Sequence, residues 1–163
     1  MTPDAEITAA FWKHLRADRT VMLGLEASAP TTLRPMTAQL DSEADQGPIW
    51  FFASTDTALV QGLNAQDLAI FTFVSKGYDV FATVHGHMTR TTDPVTIDRL
   101  WNTWVAAWYD GGKDDPKLAL LRFDPASAEI WRDGSSLLSG LKLLFGGDPQ
   151  AGAKENMAKV SLS

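Results

Sequence analysis

Six or more short segments rich in β-branched and aromatic residues, divided by compact turn signals, restrict this chain more than any other feature. They are Val21 to Glu26, Leu33 to Leu40, Ile49 to Ala53, Leu68 to Val74, Val80 to Thr89 and Leu118 to Phe123, with Ala128 to Trp131 following the turn Asp124-Pro125. Ser28-Ala29-Pro30, the polar run Asp41 to Pro48 and Lys76-Gly77 separate them. Many strands with short turns and few long helices favour a small antiparallel barrel over an α/β sheet, so the fold class is mainly β with peripheral helices (α+β).

The helices are read from caps and spacing. Thr2 and Pro3 cap a first helix whose apolar face is Ile7, Ala10, Phe11 and Leu15, placed to cover an end of the barrel. The longest helix is predicted to start at Asp93-Pro94 and to run through Ile97, Leu100, Trp101, Trp104, Val105 and Trp108. Its face would be tryptophan-rich, a core or dimer surface. A short helix is expected over Thr57 to Leu63 and an amphipathic one over Leu137 to Phe145. Gly146 to Ser163 reads as a flexible, glycine-bearing tail with a last strand at Lys159 to Leu162.

At 163 residues the chain fits one domain, residues 1–163. Its formal net charge of −6 gives no electrostatic footprint for nucleic acid. Without cysteine there is no disulfide, thiolate metal site or cysteine nucleophile, so redox work would need a bound cofactor. No leader-like or bilayer-length apolar run is present, and a cytoplasmic protein without a membrane partner is expected.

The stretch from Thr32 to Leu63 carries the chemistry. Leu33-Arg34-Pro35-Met36-Thr37 places one cation in apolar surroundings, and Ile49-Trp50-Phe51-Phe52-Ala53-Ser54 leads into a hydroxyl-rich helix start. A helix beginning near Asp56 or Thr57 leaves amide hydrogens unpaired, which with Arg34, Ser54 and Thr57 would make a phosphate site. The plainer alternatives are that Arg34 is an exposed strand residue and that Ser54 and Thr57 end a strand and cap a helix. His85 and His87 straddle Gly86 at strand spacing, but no third ligand stands nearby, so no metal site is expected.

The order Arg34-Pro35-Met36, then Phe51-Phe52-Ala53-Ser54 with Thr57 three positions on, resembles the flavin-binding split barrels related to pyridoxamine 5'-phosphate oxidase, most closely their general stress protein branch. The likeness continues through Tyr78 to Gly86, Leu100 to Pro116 and Ala128 to Trp131. It implies a split β-barrel that binds FMN, or FAD, in two sites between the subunits of a homodimer, and an oxidoreductase acting on an unidentified small molecule. It further implies that Pro35, Met36 and Thr37 meet the polar edge of the flavin ring with their backbone. On the same likeness Phe52 and Ala53 flank the ribityl chain and Trp131 borders the flavin from the partner subunit. A flavin-binding or flavin-sensing protein without catalysis, or a barrel that has lost its cofactor, are the alternatives. The chain departs from the pattern in two places. Leu59 stands where the family has a phosphate-neutralising lysine, and the residues after Trp131 lack the arginine- and histidine-bearing motif of the true oxidases. That specific oxidase activity is therefore not expected.

Overall fold

The computed structural model describes residues 2–26, 30–133 and 156–163. Ser28 and Ala29 of the expected turn, the helix over Leu137 to Phe145 and most of the tail lie outside these residues. The chain runs α1 (Pro3–Asp18), β1 (Thr20–Leu25), β2 (Arg34–Thr37), β3 (Ile49–Ser54), α2 (Ala58–Gly62), β4 (Asp67–Val74), β5 (Val80–Thr91), α3 (Pro94–Leu100), α4 (Thr103–Ala106), β6 (Leu118–Arg132) and β7 (Met157–Ser161). The described strands form one antiparallel sheet ordered β2-β1-β4-β5-β6-β3, with β7 added to β6. Just past β2, Gln39 exchanges two backbone hydrogen bonds with Trp50 of β3, 2.8 and 2.9 Å, and joins the two ends of the sheet. The result is a split β-barrel.

The split is built by β6. Its first part, Leu118 to Phe123, pairs with β3, and its last part, Ser127 to Trp131, pairs with β7. The turn expected at Asp124-Pro125 is instead the middle of this one 15-residue strand. A β-bulge absorbs the proline: the register shifts between His85 and Gly86, opposite Ser127 and Pro125, and the carbonyl of the skipped Ala126 accepts the Leu162 amide at 2.9 Å. The C-terminal residues 157–161 are therefore a paired strand, starting before the predicted Lys159.

Alternation along β4 and β5 sends Ala69, Phe71, Phe73, Val80, Ala82 and Val84 inward. They meet Phe51 and Phe123 from β3 and β6, and Phe11 and Trp12 from α1, in one aromatic core. Phe71 and Phe123 lie 5.1 Å apart by ring centroid. Thr2 accepts the Ala5 amide at 3.1 Å and Pro3 opens α1, as the cap pattern requires.

The tryptophan helix does not form as one piece. The longest helix among the described residues is α1 with 16 residues, whereas the segment after Asp93 divides into α3 and α4. Asn102 is the cause: its side chain accepts the Val105 amide at 3.0 Å and restarts the helix, leaving Trp101 extended. Trp104 and Trp108 then project into solvent, 84% and 81% exposed. Ile97, Leu100, Val105 and Tyr109 instead form a second apolar cluster over Trp50, Leu118 and Leu120, outside the barrel. Among the described residues no helix is long and apolar enough to cross a membrane.

Candidate functional site

Residues 34–37 form the short strand β2, paired to β1 with Arg34 opposite Leu23 and Pro35 opposite Met22. Arg34, Pro35 and Thr37 are exposed, while Met36 packs its side chain against the core. An open groove of about 570 Å³ runs beside Arg34, lined by Pro30, Thr31, Thr32, Pro35 and, from α2, Ala58 and Leu59. The structure thus brings the arginine of β2 to the start of α2.

The turn between β3 and α2 uses its own hydroxyl groups. Thr57 caps α2, accepting the Val60 amide at 3.4 Å and donating its proton to the Ser54 carbonyl at 2.7 Å. The Ser54 hydroxyl bonds the carboxylate of Asp56, which together with the charges of Lys117 and Arg34 holds this acid below the usual carboxylate range. Lys117 arrives because the Thr55 amide donates to its carbonyl at 2.9 Å. The sequence singles out Asp56 only as a possible helix start, and Lys117 not at all.

Two expectations about this turn are corrected. The helix α2 has five residues, too few aligned peptides to make its N-terminus an anion site by itself. Leu59 is 1% exposed and belongs to the main core, so position 59 points inward while Ala58 is the exposed neighbour.

Neither Phe52 nor Ala53 lines the groove beside Arg34. The ring of Phe52 stands edge-on to Trp101 at 6.1 Å, and Ala53 is buried in the core. The Ala53 carbonyl accepts the hydroxyl of Tyr109 at 2.6 Å, which ties the end of β3 to the segment after α4. Burial, with a contribution from Asp115, pushes the Tyr109 hydroxyl up to about 12. An unfolded tyrosine ionises near 10. The folded state therefore keeps a proton that the unfolded state loses, so this contribution to stability is complete below pH 10 and lost as the pH rises toward 12. Tyr109→Phe is expected to cost about 1 kcal/mol at neutral pH and to flatten that alkaline decline. Thermal melts of both proteins from pH 9 to 12 check it, and parallel declines would reject the assignment.

Trp131 is not a neighbour of Arg34 within one chain. It sits on β6, separated from β2 by β1, β4 and β5 in one direction and by the length of β6 beyond Phe123 in the other. It is 40% exposed and lies in a row across the outer face, with Val74, Phe81 and Met157 in register and Tyr78 stacked on Phe81 at 6.4 Å. His85 pairs through Nδ1 with Glu26 at 3.0 Å. Among the described residues no group of three or more histidines and acids gathers to hold a metal.

The fold is an antiparallel split barrel with Arg34 beside a groove on β2 and an exposed tryptophan on the long strand. The model of the pyridoxamine 5'-phosphate oxidase-like family matches residues 6–146, and the chain belongs to that family. It is 53% identical to the general stress FMN/FAD binding protein from the phytopathogen Xanthomonas citri, over 81% of this chain and 92% of that one, with a TM-score of 0.73. A general stress family protein from Xanthomonas campestris pv. campestris is also 53% identical over the same shares, with a TM-score of 0.72. A general stress protein 26 from Jannaschia sp. CCS1 is 34% identical over 97% of this chain and 99% of that one, with a TM-score of 0.76. A search of curated proteins returned no match.

Proposed function

We propose that this chain is a flavin-binding protein of the general stress type, active as a homodimer whose two sites lie between subunits. The observation that carries the reading is the separation of two half-sites on one chain. The groove beside Arg34 has an exposed strand backbone at Pro35 to Thr37, and Trp131 stands far round the sheet in an exposed apolar row. A second copy that covers the row of Val74, Phe81 and Trp131 would bring a tryptophan to the groove of the first. Exposed aromatic surface of this kind is characteristic of permanent interfaces.

The residues present fit a flavin in this groove. Peptide groups of β2 supply donors and acceptors for a ring edge, and Arg34 a cation for the tail. A bound flavin supplies hydride or electron transfer, and we read the chain as an oxidoreductase for a small molecule on that basis. Arg34 and the β2 backbone would position the cofactor. The pyridoxamine-phosphate oxidase reaction itself is disfavoured, because Arg132 turns its guanidinium to Asn156 at 3.5 Å and no histidine follows Trp131 through Ser163.

Ultracentrifugation at micromolar concentration, combined with absorbance of the protein incubated with flavin, tests the reading. A dimer carrying flavin absorbance is expected, together with bleaching on addition of a reduced nicotinamide if the bound flavin turns over. A stable monomer that holds flavin as tightly would overturn the intersubunit site.

A further inference from the structure

Resting on that intersubunit reading, we propose that Trp104 and Trp108 are a docking surface for a second copy of this chain. They seat on the partner's exposed row of Val74, Tyr78, Phe81 and Trp131, and so hold the partner's Trp131 at the groove. The two are the most exposed large apolar side chains among the described residues. They lie four residues apart, with helical backbone kept through Ala107, and form one patch. Their outward aim is built in. Val105 and Tyr109, from the same turns, are buried against Trp50, Leu118 and Leu120, which fixes α4 on the barrel with its tryptophans pointing away from it.

Position decides what covers them. The Tyr109 hydroxyl donates to the Ala53 carbonyl at 2.6 Å, so the tryptophans stand at the end of β3 from which Ser54 and Thr57 lead to Ala58 on the groove. The row lies at the other end of β6. Leu118 is opposite Ser54, whereas Trp131 is opposite Phe81, about 40 Å further along the strand. In a two-fold dimer each contact is made twice, so a partner whose Trp131 reaches this groove brings its whole row to this end of the barrel. The exposed apolar surface that meets it there is Trp104 and Trp108. Area argues the same way. Two tryptophans so exposed offer roughly 250–400 Å², and the partly exposed row roughly as much. A stable interface takes about 800 Å² from each partner, which neither patch supplies alone and the two together approach.

The chain contains no cysteine, so introduced thiols report on the contact without interference. Ala107→Cys, exposed beside Trp108, and Thr83→Cys, two residues along β5 from Phe81, leave every aromatic side chain in place. The doubly substituted protein, treated with a short bismaleimide, should run as a covalent dimer in denaturing electrophoresis, and neither single variant should. A dimer by ultracentrifugation that the reagent does not link, or a covalent dimer from either single variant, would overturn the proposal while leaving the intersubunit flavin site standing. A protein that sediments as a monomer would overturn that site and this inference with it. Trp104→Gln combined with Trp108→Gln gives the second measure. The dimer dissociation constant should rise about a hundredfold or more, with flavin binding weakened and the strand signal in circular dichroism retained. An unchanged dissociation constant would also overturn the proposal.

Discussion

Gly86→Ala is expected to destabilise the barrel by about 3 kcal/mol, the upper part of the range for forcing one carbon into a packed site. Gly86 lies at the bulge where β5 changes register on β6. A Cβ there would run into the carbonyl oxygen of Asp124 and come within 2.8 Å of two ring carbons of Phe123. Neither obstacle is free to yield. Asp124 is held in the ladder opposite His87, and Phe123 is fully buried between Phe51 and Phe71. The expected loss far exceeds the 0.4–1 kcal/mol or so that alanine returns by restricting the unfolded chain. Gly77→Ala is the control, since its Cβ would meet only the exposed end of the Asp79 side chain, at 2.7 Å. Urea unfolding should show a large drop in midpoint for Gly86→Ala, with an unchanged slope, and little change for Gly77→Ala. Equal midpoints would mean that the bulge rearranges freely and does not fix the split.

That bulge also marks where sequence reading reached its limit. Strands β4 and β5 were legible because one face is buried, so the alternation of apolar and polar residues is written directly in the chain. Strand β6 was read as two segments because a proline inside a strand is ordinarily a stop, and only the partner strand reveals the bulge that accommodates it. The broken tryptophan helix failed for another reason. Trp101, Trp104 and Trp108 satisfy helical spacing, and the competing cap of Asn102 lies in the same residues. Apolar spacing and capping pointed to different structures, and the cap prevailed because no core stood opposite the last two tryptophans.

The site divides in the same way. Arg34 and the turn from Ser54 to Thr57 could be found because they lie close in sequence to a recognisable strand and helix start. Lys117 could not, since it reaches the turn only through the antiparallel register that sets Ser54 beside Leu118.

Leu59→Lys is expected to cost about 2 kcal/mol or more of stability without ligand, the low end for losing a buried leucine, with the added burden of a partly desolvated ammonium. Its side chain is 1% exposed, within the cluster that includes Val60 and the first strand. Ala58→Lys is the informative counterpart. Position 58 is exposed at the groove edge beside Arg34, so its lysine should change stability by no more than about 0.5 kcal/mol. There the new cation would add to Arg34 and tighten FMN by about 1.5 kcal/mol, roughly tenfold, while leaving riboflavin unaffected. Urea unfolding and flavin titration of the two variants separate the roles of the adjacent positions. A Leu59→Lys protein as stable as the unmodified one, with tighter FMN binding, would show that this side chain can leave the core for the groove. A phosphate would then be met from position 59, as the family pattern implies, and not from the residue that faces the groove.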